Sequence, residues 1–186
     1  DRLSLTLPEG LAALTRVLGA EEGDIRLVGG AVRDTLAGLP PKDFDMATRL
    51  MPEAVMQRAQ AAGYKVIPTG LAHGTVSVLA NGRPIEVTPL RRDVSTDGRH
   101  ATVAFSDDWR DDAARRDFTI NALYADPLTG EVFDYFGGRD DLAAGIVRFI
   151  GDPLTRIAED HLRILRFFRF QARFGKGPPD AASLEA

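Results

Sequence analysis

The chain of 186 residues contains no cysteine, which removes disulfide staples and thiolate metal sites and fits a cytosolic protein. No apolar run reaches the ~20 residues needed to span a bilayer, and the N-terminus lacks the charged-then-apolar layout of a secretory signal. A cytoplasmic protein with no membrane partner is the expectation. An excess of positive charge is also missing: 23 Lys and Arg against 27 Asp and Glu leave a net −4. That balance argues against a uniformly basic nucleic-acid binder, so the distribution of charge matters more than its total. The length suggests one domain, or one plus part of a second. The start at Asp1 without an initiator methionine and the ending PPDAASLEA suggest a fragment.

What is present is organised around Leu27–Thr48, LVGGAVRDTLAGLPPKDFDMAT. Gly29 and Gly30 stand between a short apolar strand, Ile25 to Val28, and a helix from Ala31 to Ala37. Glycines let backbone approach a phosphate, and the N–H groups opening a helix carry partial positive charge, so the pair is a plausible anion cradle. Arg33 and Asp34 follow in the first turn, either as a solvated charge pair or with Arg33 facing a phosphate. Lys42 to Ala47 is a second strand. Its alternation puts Asp43 and Asp45 on one face and turns Phe44 and Met46 into the core. Two adjacent carboxylates repel unless neutralised, and Mg²⁺ takes one or two protein carboxylates together with substrate phosphates. The stretch therefore points to phosphoryl or nucleotidyl chemistry.

The remaining punctuation is clear in places. Leu11, Leu14, Val17 and Leu18 space a helix that stops at Gly19, and Pro52 to Ala62 reads as a helix before Gly63. Thr75 to Ala80 and Pro84 to Leu90 form a hairpin about Asn81-Gly82. Glu86 lies opposite Ile85 and Val87. It is either solvent-facing or, if this strand adjoins that of Asp43, a third carboxylate of the same site. Arg91 to Arg110 is dense in charge and turn residues and reads as a mobile loop, despite a short alternation at Val103 and Phe105. Asp111 to Asn121 reads as a helix into a turn, in which Arg115, Arg116 and Asp117 form either a solvated cluster or contacts to phosphate and ribose. A second glycine pair, Gly137-Gly138, reads as a structural turn.

From Asp152 a helix can run to Phe174, with Asp152 as cap, Pro153 at its first position and an apolar face of Ile157, Ile164, Leu165, Phe168 and Ala172. Arg156, Asp160 and Arg163 line up along it, followed by Arg166, Arg169 and Arg173. These are either a salt-bridged surface or, at Asp160 and Arg163, an acceptor and a planar donor fork for a base edge.

The motifs GGAVRD, KDFDMAT, RRDFTINAL and RIAEDHLRILRFFRF, in that order, resemble the bacterial class II tRNA nucleotidyltransferases, the CCA-adding enzymes and their relatives the bacterial poly(A) polymerases. The resemblance runs from about Leu27 to Gly175. It implies an α+β fold: a polymerase-β-like nucleotidyltransferase head over 1–150, with a mixed or antiparallel sheet flanked by helices. The start of an all-α neck over 151–186, truncated, would follow. It implies that Asp43 and Asp45 bind catalytic Mg²⁺, with Glu86 as third carboxylate. Gly29, Gly30, Arg33 and Asp34 would serve the triphosphate, Arg116 a phosphate, and Asp117 and Asn121 the ribose. Asp160 and Arg163, assisted by Arg166 and Arg169, would select CTP and then ATP for addition to tRNA. The segment Arg91 to Arg110 occupies the place of the family's flexible loop, implicated in switching from C to A. His161 and Phe167-Phe168 depart from the family's commoner proline and small residues. The runner-up activity is poly(A) addition to RNA, and the reading from another class is a non-catalytic nucleotide- or RNA-binding module.

Overall fold

The computed structural model describes residues 2–4, 6–69, 74–94, 102–159, 162–177 and 179–185. Helix α1 (Leu11–Val17) buries Leu11 and Leu14, one turn apart on its apolar stripe. Strand β1 (Ile25–Val28) runs into Gly29, whose φ of 69° and ψ of −125° are open to glycine and costly for an L side chain. The chain turns there into helix α2 (Gly30–Leu36).

Strand β2 is Met46–Thr48, shorter and later than the Lys42 to Ala47 predicted. The stretch before it keeps the alternation, with Asp43 and Asp45 exposed and Phe44 and Met46 buried. It lacks most of a ladder because β1 leaves the sheet at Gly29, so that the Val28 N–H is the one that reaches back, to the Asp45 carbonyl at 3.1 Å. Helix α3 (Pro52–Ala61) is followed by β3 (Lys65–Pro68), β4 (Val76–Ala80) and β5 (Arg83–Pro89). The β4–β5 turn carries positive φ at both Asn81 and Gly82, 50° and 78°, as a type I′ turn requires.

The segment read as a loop contains structure. Strand β6 (Arg91–Val94) pairs antiparallel with β7 (Thr102–Phe105), and residues 95–101 lie outside the described residues. This two-stranded ribbon stands apart from the main sheet, so little of its sequence has to be apolar and the strand pattern is faint. Helix α4 (Trp109–Ala114) begins earlier than expected. Asp108 caps it, its carboxylate accepting the Arg110 N–H at 2.9 Å. A 3-10 turn, Thr119–Asn121, leads to β8 (Leu123–Ala125), β9 (Val132–Asp134) and helix α5 (Gly138–Ala144). The sequence reading contains neither β3 nor β8. All three residues of β8 are buried, leaving no alternation to see, and β3 is a largely exposed edge.

The main sheet has the order β3-β4-β5-β2-β1-β8-β9, with β2 and β5 parallel and its other pairs antiparallel. Met46 sits opposite Val87 in the parallel pair, so Asp45 and Glu86, each one residue earlier, stand side by side. Leu27 and Met46 face a core with Leu14, Val55, Val78 and Ile85. Val28 and Ala47 face the other way, onto Leu90, Trp109, Tyr124 and Ile150. Successive strand residues point to opposite faces, so both layers are built from the same two short strands, β1 and β2.

A third cluster joins Phe118, Leu142 and Phe149 to helices α6 (Pro153–Glu159) and α7 (Leu162–Phe174). Residues 160 and 161 lie outside the described residues, so Asp160 is not placed. The predicted apolar face is corrected: Ile164, Leu165, Phe168 and Ala172 are exposed, whereas Phe167, Phe170 and Phe174 turn inward. Two apolar stripes coexist on this helix, and the aromatic one packs inward. Phe167 stacks on Phe149 at 5.8 Å and Phe170 meets Phe118 at 5.4 Å, burying larger side chains than the alternative stripe offers. A short helix, α8 (Ala181–Glu185), follows. No helix among the described residues is long and apolar enough to cross a membrane.

Candidate active site

A cleft of about 390 Å³ opens where the ends of β1, β2 and β5 meet α4 and α7. Its acidic wall is Asp45 and Glu86. Asp45 keeps contact with solvent, yet the protein around its carboxyl removes part of its water and pushes its pKa up, Glu86 and then Asp43 push it further, and Arg116 pulls the other way. Asp43 stands close enough to act on Asp45, although it does not itself line the cleft. Among the described residues, no group of three or more His, Cys, Asp or Glu side chains forms a ready-made cage for a cation. The donor set is instead an open one of mutually repelling carboxylates, which suits a hard divalent cation that completes its shell with water and phosphate.

The glycine pair lines the same cleft. No side chain caps α2, and a Cβ at Gly29 would meet nothing within 4 Å. Arg33 also lines it, but its guanidinium is held from below. Nε donates to Asp34 Oδ1 at 3.0 Å and Nη1 to Asn121 Oδ1 at 2.6 Å, over the rings of Phe174 and Phe170 at 4.8 and 5.1 Å. Of the sequence alternatives, the charge pair with Asp34 is present, but buried at the cleft rather than in solvent. Asp34 does not line the cleft and lies between Arg33 and Arg173, the latter at 3.7 Å.

The same cleft is lined by cations. Arg91, Arg115 and Arg116 come from β6 and the end of α4, and Arg163 and Arg166 from α7. Burial disfavours the charge of Arg116, but Tyr124 and Asp112 more than offset it and hold its pKa above the usual value. Burial, followed by the neighbouring Arg115, lowers that of Arg91. Asp117 and Asn121 line the cleft and are tied to each other, to Arg33 of α2 and to Arg166 of α7. Asn121 Nδ2 donates to Asp117 Oδ1 at 3.2 Å, and Arg166 Nη2 meets Asp117 Oδ2 at 2.6 Å. Arg169 is exposed and does not line the cleft.

Several lining residues carry no signal in the sequence reading: Thr88, Asp112 and Phe170, together with Arg91, there only the edge of a loop. Asp112 was the most accessible of them, since it stands four residues before Arg116, the spacing of a helical acid–base pair. Their ion pair is 3.1 Å long.

A family model for the poly A polymerase head domain matches residues 25–148, and the chain belongs to that family. It is 46% identical over 173 residues to the human CCA tRNA nucleotidyltransferase 1, mitochondrial, covering 92% of this chain and 40% of that protein. To the CCA-adding enzyme of Staphylococcus saprophyticus it is 40% identical over 150 residues, 80% of this chain and 36% of that one. Among solved structures, the Bacillus stearothermophilus CCA-adding enzyme in complex with CTP superposes with a TM-score of 0.79 at 35% identity, over 97% of this chain and 43% of the other. A tRNA nucleotidyltransferase complexed with a primer tRNA and an incoming ATP analog superposes with a TM-score of 0.71 at 28% identity, over 92% and 48%. The mixed sheet flanked by helices is the polymerase-β-like nucleotidyltransferase head of the CCA-adding enzymes. Nucleotidyltransferases of this family generally use divalent metal ions. The chain spans about two-fifths of the length of the curated relatives it matches.

Proposed function

We propose that this chain is the nucleotide-incorporating part of a CCA-adding tRNA nucleotidyltransferase, joining C, C and A from CTP and ATP to a tRNA 3′ end with release of pyrophosphate. The observation that carries the reading is the parallel pairing of β2 with β5. It sets Asp45 beside Glu86 in a cleft that arginines also line. Carboxylates and guanidinium groups lining one cleft are what a metal–triphosphate needs, the first for the cation and the second for the phosphates. Asp43 and Asp45, with Glu86, would hold Mg²⁺, which when bound supplies charge neutralisation for the attacking hydroxyl and the departing pyrophosphate. Gly29, Gly30, Arg33 and Arg116 would receive the triphosphate, and Asp117 and Asn121 the ribose. The protein's part is to align the tRNA 3′-hydroxyl with the α-phosphorus and to keep the charges in place.

Residues 1–150 would be the catalytic head and 151–186 the beginning of a helical neck. On the neck side, Asp160 and Arg163 would read the base, with Arg166 steadying Asp117 and Arg169 assisting from outside the cleft. Names of relatives support tRNA, CTP and ATP as partners.

The test is incorporation of labelled CTP and ATP, offered separately and together with Mg²⁺, onto a tRNA ending before CCA. Ordered addition of two C and one A supports the proposal. Repeated A addition to any RNA would make it a poly(A) polymerase, and nucleotide binding without incorporation a non-catalytic module.

A further inference from the structure

Helix α4 is six residues long and is gripped on three sides. Trp109 in its first turn lies edge-on to Tyr124, 5.6 Å between centroids, and beneath the Arg26 guanidinium at 4.2 Å, which pins the helix to the sheet. At its other end Arg115 Nε meets Asp93 Oδ1 of β6 at 3.0 Å. Between them is Asp112, with 5% of its side chain exposed. Its Oδ2 accepts the Tyr124 hydroxyl at 2.6 Å and Arg116 Nη2 at 3.1 Å. Its Oδ1 accepts the backbone N–H of Arg91 at 3.1 Å. Arg116 Nε in turn donates to the Tyr124 oxygen at 3.2 Å.

We propose that Asp112 is a positioning residue of the nucleotide cleft, one carboxylate that fixes the Arg116 guanidinium at the cleft wall and anchors the base of the β6–β7 ribbon to the same helix. The inference rests on the reading of the cleft as the nucleotide site. Three donors converge on this buried group, and a carboxylate, with acceptor sites on both oxygens, satisfies all of them. An asparagine of the same shape has one acceptor oxygen: with that oxygen kept for the two donors Tyr124 and Arg116, its NH₂ turns toward the Arg91 N–H, which loses this acceptor, and Arg116 loses the charge of its partner. Arg116 and Arg91 both line the cleft, and Arg91 opens the strand that leads into residues 95–101. A shift of the ribbon is therefore transmitted through Asp112 to a guanidinium that lines the same cleft as the carboxylates.

The experiment compares the chain with Asp112→Asn, Arg116→Ala and the double variant by isothermal titration with CTP and Mg²⁺, together with amide hydrogen exchange. Asp112→Asn should weaken CTP binding about tenfold or more. Adding it to Arg116→Ala should cost less than about threefold further, since non-additivity marks a residue that acts through its neighbour. The Arg91 amide should exchange at least tenfold faster while the β4–β5 amides keep their protection. Should Asp112→Asn lose its cooperative melt, Tyr124→Phe, which removes only the hydroxyl bridging Asp112 and Arg116, should give the same non-additivity with a smaller loss. Unchanged CTP affinity, fully additive losses or an unaltered Arg91 amide would each overturn the inference while leaving the nucleotide reading intact. Failure of the unaltered chain to bind CTP would overturn the nucleotide reading and this inference with it.

Discussion

The chain places two glycine pairs between a strand and a helix, each followed within a few residues by Arg-Asp, and the two do opposite things. At Gly29-Gly30 the space above the backbone is open: a Cβ on Gly29 meets nothing, and one on Gly30 finds only the Arg33 guanidinium at 3.4 Å. No side chain caps the helix that follows, and the pair lines the cleft. At Gly137-Gly138 a Cβ on the second glycine would come within 2.2 Å of the Thr119 carbonyl oxygen, so that glycine exists to let two backbones touch. The N–H groups of Gly138 and Arg139 are already taken by the Asp134 carboxylate at 2.9 and 3.0 Å. A helix start that carries its own carboxylate has no need of a ligand's. The same local pattern is thus left open at a cleft in one place and closed by packing in the other, and what separates them is whether the protein itself supplies the acceptor.

The comparison can be broken in several ways. The largest effect should come beside the open pair: Asp45→Asn should cut nucleotide incorporation by roughly 10³-fold or more, comparable to losing a principal charge-stabilising group. Near-normal turnover would remove the reason for regarding the first pair as a ligand site. The same variant carries a signed pH effect. The folded-state pKa of Asp45 is raised by partial desolvation, Glu86 and Asp43. The stability this group contributes is complete below the unfolded carboxylate value of about 3.9 and is lost as pH rises through the raised value. Without metal at neutral pH, Asp45→Asn should therefore melt higher than the unaltered chain. Mg²⁺ should raise the melting temperature of the unaltered chain more than that of the variant.

Next in size, Gly138→Ala should destabilise the fold by about 3 kcal/mol, because the added methyl meets backbone that cannot step aside. A fall in Tm of roughly 6–12 °C would report it. Gly30→Ala should do the reverse, leaving Tm level or slightly raised because alanine favours helix, while weakening CTP binding about tenfold, or ~1.4 kcal/mol. Equal thermal losses in the two variants would erase the distinction. The smallest effect should be that of Asp134→Ala, about 1 kcal/mol of lost capping and a few degrees in Tm, with CTP affinity unchanged.

How much of this was legible varies with the physics of each element. Patterns that are local survive reading: the glycines, the Asn81-Gly82 turn, the alternation around Asp43 and Asp45, and the packing stripe of α1. Elements whose partner is distant do not. Strand β8 is too short and too buried to alternate, and the β6–β7 ribbon too polar to look like a strand. The face of α7 was misassigned because Ile164, Leu165 and Phe168 form as good a stripe as Phe167, Phe170 and Phe174, and only the presence of Phe118 and Phe149 decides between them. Asp112 carries little local signal, since its three donors come from Arg91, Arg116 and Tyr124, of which only Arg116 is one helical turn away.

The sequence by itself points to the proposed reaction class, because a glycine turn and two carboxylates at a spacing of two are local requirements of phosphate and cation. It also determined which residues of each strand go inward, since that follows from the pleat. Whether Glu86 joins Asp45 was left open by the sequence. Only the parallel pairing of β2 with β5, which brings together strands about forty residues apart, decided it. The same holds for the arginine wall, gathered from α2, β6, α4 and α7, whose like charges are tolerable side by side because Asp34, Asp93, Asp112 and Asp117 are folded in among them.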